Sequence, residues 1–154
     1  DTVAEILSLL GHDSNLAVRR AMRNSRALSS DVSAAYDPNY PSVNEKNNCA
    51  YFGRGLVINK YTGARGKSGS NDASAEYVAQ VRKIFDENGV SWQTSELGKV
   101  DQGGGGTIAQ YVANLNMDVI DCGVPVLSMH SPFEVVAKSA VYMAYRAYKA
   151  FFTR

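Results

Sequence analysis

Apolar residues recur along this chain with two different periods, and the switches between them mark its elements. Val3, Ile6, Leu7 and Leu10 are spaced for one face of a helix at the start, and Asp13, Ser14 and Asn15 offer N-caps for a second helix to about Asn24. RALSSDV, ending near Asp31, and GLVINKY, residues 55–61, are strand-like. The stretch between them, AAYDPNYPSVNEKNN, is rich in turn formers without a period, which predicts a long surface loop. Tyr77, Val78, Val81, Ile84 and Phe85 share one face of a helix predicted from about Ala73 to Asn88, with Ser70, Asn71 or Asp72 as N-cap and Gly89 as its stop. VSWQTSEL is the next strand, DQGGGGTIAQYVANL a glycine-rich turn into a helix from Thr107, and MDVIDCG and VPVLSMH are strand. SPFEVVAKSAVYMAYRAYKAFF closes the chain as a helix of about twenty residues. Strands alternating with helices predict an α/β fold, a three-layer sandwich whose mostly parallel central sheet is flanked by helices.

Composition narrows the classes. With 154 residues, 45% of them apolar, the chain is one ordinary domain or a piece of a larger one. Its 16 basic and 15 acidic residues leave a net charge of +1, too little for a broad nucleic-acid or anionic-membrane footprint, so neither is expected as a partner. No apolar run approaches the roughly 18 residues of a membrane span. Cys49 and Cys122 lie far apart, with no CxxC spacing and no secretory signal, and a cytoplasmic, reducing location is expected. A helix at residue 1, with no initiator methionine and no strand before it, points to a clipped or partial chain.

Candidate chemistry sits where strands end. His130, one of two histidines, stops VPVLSMH before Ser131 and Pro132 turn the chain. It reads either as a turn residue or as a metal ligand, since sites in open α/β sheets form at the carboxyl ends of strands. Asp31 ends its own strand and reads either as a turn or N-cap residue or, where a parallel arrangement brings it to the same sheet edge as His130, as part of a zinc-type site. Gly103 to Gly106, centred on Gly104 and Gly105, allow backbone amides close to an anionic ligand, but match no nucleotide fingerprint, and a tight strand-to-helix connection is the commoner explanation. RGKSG at 65–69 reads as a solvated basic loop or a phosphate contact.

Four long stretches, SSDVSAAYDPNYP, GLVINKYTGARGKSGSNDASAEY, WQTSELGKVDQGGGGTIAQY and MDVIDCGVPVLSMHSPFEVVAKSAVYMAYRAYKAFF, together resemble the carboxyl-terminal part of the catalytic domain of M18 metalloaminopeptidases, on the aminopeptidase I branch. The resemblance runs from about Ser25 to Phe152. It implies two divalent cations, most often zinc, with Asp31 and His130 as ligands of different ions, and hydrolysis of amino-terminal peptide bonds. It places the general-base glutamate, the bridging aspartate, the first histidine and an inserted β-rich dimerisation domain outside the matched segment. Glu5 and His12 do not match those ligands. It also implies a homo-oligomer, a dodecamer in the family. Relatives selective for acidic residues place a lysine where Asn59 stands here, so Asn59 becomes a substrate-binding candidate and a preference for neutral or apolar residues such as leucine is expected. The other expectation is a non-catalytic fragment or assembly module that keeps the fold.

Overall fold

The computed structural model describes residues 1–65, 68–99 and 101–154. Two helices, α1 (Thr2–Leu9) and α2 (Asn15–Arg23), come first. Of the three candidate caps Ser14 is the one used, its Oγ accepting the Ala17 N–H at 3.0 Å. Neither helix buries a residue, and Ile6, Leu9, Leu10 and Leu16 stay exposed.

The central sheet is built from β1 (Arg26–Ser29), β3 (Leu56–Asn59), β6 (Trp92–Thr94) and β8 (Asp118–Gly123), in the order β1-β8-β3-β6. β1 runs parallel to β8 and β3 parallel to β6, while the seam between β8 and β3 is antiparallel. The α/β class and the largely parallel sheet hold, with one reversed seam that residue periodicity alone does not encode.

Alternation along the strands divides the sheet into two faces. Leu56, Ile58, Ile120 and Cys122 pack with Tyr77, Val81, Ile84 and Phe85 of α3 (Ala75–Glu87) and with Ala144, Ala147 and Ala150 of α5 (Lys138–Phe152), forming the hydrophobic core. The alanine row on α5 lets that helix lie close. The other face is covered by a second sheet, β5 (Ser68–Asp72), β4 (Tyr61–Ala64) and β7 (Gly104–Gly105), together with the short α4 (Ala109–Ala113). Asn71 reaches across to donate to the Val119 carbonyl at 3.5 Å, and α4 packs on β8 and β5. Helices therefore lie on both faces of the central sheet, as expected, with the second sheet beside α4 on this one.

A third small sheet prolongs the β1–β8 ladder: β2 (Ser33–Ala34) runs parallel to β9 (Pro125–Leu127), and β9 pairs antiparallel with β10 (Val135–Val136). The expected surface loop is pinned at its return, where Tyr36 donates to the Ala50 carbonyl and Tyr51 exchanges two hydrogen bonds with the Gln93 amide. Three boundaries differ from expectation. Residues 68–72 form β5, so the cap of α3 is Ser74, whose Oγ accepts from the Tyr77 N–H, in place of Ser70, Asn71 or Asp72. Val135 and Val136 pair with β9, which delays α5 to Lys138. Gly104 and Gly105 pair with β4, so the helix predicted from Thr107 starts at Ala109. Among the described residues no helix is long and apolar enough to cross a membrane.

Candidate functional site

Asp31 lies in the link between β1 and β2. Its Oδ1 accepts the Val32 N–H at 2.8 Å, its own N–H donates to the Ser29 carbonyl, and the side chain faces solvent. Neighbouring Ser30 donates to the Tyr148 hydroxyl at 2.8 Å, and that hydroxyl donates to the Cys122 carbonyl at 2.9 Å, tying the link to α5 and β8. The backbone of Asp31 also runs directly over Gly123, where an added Cβ would sit 1.3 Å from the Asp31 carbonyl oxygen. Only glycine permits that approach.

His130 sits at the tip of the β9–β10 hairpin with φ of 66°, and Ser128 has φ of 58°. Each left-handed non-glycine residue costs about 1–2 kcal/mol, offset here by local bonds. The His130 N–H donates to the Glu134 carboxylate and the Ser131 N–H to the Ser128 carbonyl, leaving the imidazole exposed. Asp31 thus follows the carboxyl end of β1 and His130 that of β9, strands of two neighbouring parallel ladders. No ion pair joins the two side chains, and among the described residues no three His, Cys, Asp or Glu side chains gather as a metal cluster. A carboxylate and an imidazole, both reachable, have the donor chemistry of a zinc site, but they are two of the three or four protein ligands such a site uses. His12 lies in the α1–α2 turn, where its N–H donates to the Leu7 carbonyl.

Beneath Asp31 lies a further acid. Asp121 on β8 is aligned with Ser29 of β1 on one side and Asn59 of β3 on the other, making a polar row across the covered face of the sheet. It is 2% exposed, and among the described residues neither carboxyl oxygen closes a hydrogen bond of good geometry. Burial pushes its pKa up; the nearby Ser29, Thr107 and Thr62 hydroxyls pull it down, and the Asp31 charge pushes it up again. The available signal was an acid inside the apolar run VIDCGVPV.

Asn59, expected to face substrate, is 3% exposed and fully engaged: its Nδ2 donates to Ser33 Oγ at 3.1 Å and its Oδ1 accepts from Ser95 Oγ at 2.7 Å. Lys60, on the opposite face, is exposed and paired with Asp72. Gly104, at φ of 96°, packs where a Cβ would lie 2.2 Å from the Gly63 carbonyl oxygen; Gly105 follows it in the edge strand β7. Two of the four glycines are thus strand, and α4 begins three residues beyond Gly106. Of the basic loop RGKSG, Gly66 and Lys67 lie outside the described residues.

Residues 1–152 match the family described as aminopeptidase I zinc metalloprotease (M18). The chain belongs to the M18 family. Among its M18 relatives, the probable M18 family aminopeptidase 1 of Clostridium acetobutylicum is 58% identical over 151 residues, covering 98% of this chain and 32% of that protein. That of Thermotoga maritima is 48% identical over 147 residues, covering 95% and 33%. The crystal structure of the Clostridium acetobutylicum aminopeptidase I superposes with a TM-score of 0.88 at 57% identity, over 98% of this chain and 32% of that one. For the Thermotoga maritima M18 structure the TM-score is 0.92 at 47% identity, over 97% and 33%. The mApe1 dodecamer, 21% identical with a TM-score of 0.70 over 98% of this chain and 33% of that one, shares the fold. The M18 chain therefore spans about a third of the length of these relatives.

Proposed function

We propose that this M18 chain is the carboxyl-terminal portion of the catalytic domain of a binuclear zinc aminopeptidase and supplies part of its active site. The observation that carries the reading is the pair of reachable strand-end donors, Asp31 and His130, on a scaffold that matches the M18 family over residues 1–152. Each would hold one of two divalent cations, which when bound activate water and polarise the scissile carbonyl of a peptide. The other ligands and the general-base glutamate belong to the two-thirds of the relatives' length that this chain does not span. Within the chain, the Val32 N–H and the Ser30–Tyr148 bond hold Asp31 in place, and Glu134 fixes the turn that carries His130.

The substrate preference is for neutral or apolar amino-terminal residues. The row next to Asp121 ends on the uncharged Asn59, and Lys60 is committed to Asp72 on the other face, so neither compensates the desolvation of a substrate carboxylate. The protein works as a homo-oligomer, a reading supported by exposed apolar side chains on α1, α4 and α5, including Ile6, Tyr111, Tyr142 and Tyr145. Two buried, unpaired thiols, Cys49 and Cys122, suit the reducing cytoplasm.

The test uses the zinc-loaded protein expressed from its own gene. Asp31→Ala and His130→Ala should each remove bound zinc and lower turnover of a leucyl substrate by about 100-fold or more, beyond the usual loss of an outer-shell partner. kcat/KM should be higher for leucyl than for aspartyl or glutamyl substrates. Full zinc content and turnover in both variants would overturn the site, and a folded, zinc-loaded protein without turnover would favour the assembly-module reading.

A further inference from the structure

The polar row under Asp31 carries more than structure requires. Four buried oxygen atoms there, Asp121 Oδ1 and Oδ2, Ser29 Oγ and Thr62 Oγ1, close no hydrogen bond of good geometry among the described residues, although the Ser29 and Thr62 hydroxyls lie within reach of the carboxyl. Their residues are 2%, 5% and 2% exposed, each more than nine-tenths buried. The Thr107 hydroxyl also lies against the Asp121 carboxyl, and itself accepts the Ala109 N–H at 3.2 Å. Unpartnered buried polar atoms are rare in folded proteins, and four around one point mark a site for something the protein itself does not provide.

The occupant must be small. All four atoms are shielded from solvent, which leaves no room for a bulky group to enter from outside. Among the described residues, the groups acting most strongly on the carboxyl are three hydroxyls and a second acid, Asp31. A buried carboxylate in that setting calls for a positive charge. The donors are all oxygen, with no nitrogen or sulfur, which selects a hard cation over zinc. A single carboxylate balances one charge, whereas protein cages for calcium recruit several carboxylates.

We propose that Asp121, Ser29, Thr62 and Thr107 form a binding site for a monovalent cation, sodium or potassium, distinct from the centre at Asp31 and His130. The ion bridges β1 and β8 of the central sheet to β4 and the entry of α4, clamping the second sheet over the strand ends that carry the candidate metal ligands. It is a structural ion and takes no part in peptide hydrolysis, so its test does not depend on the aminopeptidase reading.

The experiment measures the thermal midpoint of the zinc-loaded protein, expressed from its own gene, in sodium, potassium, lithium and choline chlorides at equal ionic strength. Sodium or potassium should raise the midpoint over choline by on the order of 3–5 °C at tenfold excess over its dissociation constant. Asp121→Asn should abolish the difference between salts. Thr62→Val, which keeps the charge and removes one ligand oxygen, should weaken the apparent cation affinity by about tenfold, and serves if Asp121→Asn does not fold. Equal midpoints in all four salts would overturn the proposal. That result would accompany a trapped water, or a protonated Asp121, for which the midpoint would instead change with pH alone. Retained salt selectivity in Asp121→Asn or in Thr62→Val would overturn it as well.

Discussion

The two faces of β8 divide the work of the molecule. Ile120 and Cys122 point into an apolar core against α3 and α5, where Tyr77 and Phe85 are fully buried. Val119 and Asp121 point the other way, into a polar row that runs from Ser29 to Asn59 and lies just below the exposed Asp31. One face yields stability by removing apolar area from water, the other accepts buried polar groups that cost stability unless paired. A strand with a period of two can serve both needs at once, which places a reactive strand end on a rigid support.

Four substitutions or conditions would break or sharpen that contrast, and the apolar face should give the largest effect. Phe85→Ala empties a fully buried position and should lower unfolding free energy by about 3–5 kcal/mol in urea titration; a loss below about 1 kcal/mol would mean the core is not where stability resides. Gly123→Ala forces a methyl onto the Asp31 carbonyl and should cost about 3 kcal/mol, with zinc lost before the protein unfolds; unchanged zinc content would show that the close approach does not position Asp31. Asn59→Ala leaves the Ser33 and Ser95 hydroxyls without their partner and should cost about 2 kcal/mol, a smaller penalty than the core cavity.

The fourth effect is a pH slope. Burial, and then the Asp121 charge, push the Cys122 thiol well above its ordinary range. The unfolded chain releases that proton above about pH 8.5 while the folded protein keeps it, so stability is intact below that pH and falls by about 1.4 kcal/mol per pH unit above it. Burial likewise raises the Tyr77 phenol, which adds to the fall above about pH 10. Cys122→Ala should flatten the slope between pH 8.5 and 10, and an unchanged slope would remove the thiol as its source.

What the sequence disclosed depended on the kind of interaction. α3 was legible because five apolar residues recur at helical spacing ahead of Gly89, and α2 because Ser14 stands before an amphipathic run. β4 and β5 were not, since TGARGKSGSND has no alternating apolar residues and the hairpin is held by backbone pairing, which composition does not record. The same holds for β7, made of two glycines, and for β10, whose valines continue smoothly into the helical pattern of α5. Asp31 and His130 were legible as strand ends whose family motifs are intact. Asp121 was hidden because its importance lies in missing partners, a property of three-dimensional neighbours such as Thr62 and Thr107. The role of Asn59 was inferred from a one-residue comparison, which gives its face of the strand but not the Ser33 and Ser95 hydroxyls that occupy its amide.

The contact between Gly123 and Asp31 also bears on the order of events during folding. β1 and β8 pair in parallel although most of the chain separates them, and long-range parallel pairing forms late because loop closure must come first. The Asp31 carboxylate therefore has no fixed position until β8 arrives, with Gly123 beneath the link and Tyr148 of the last helix bonded to Ser30. Under the proposed metal site, capture of an ion at Asp31 would come after assembly of the sheet, so a cation there would not nucleate this fold; it would only reward its completion.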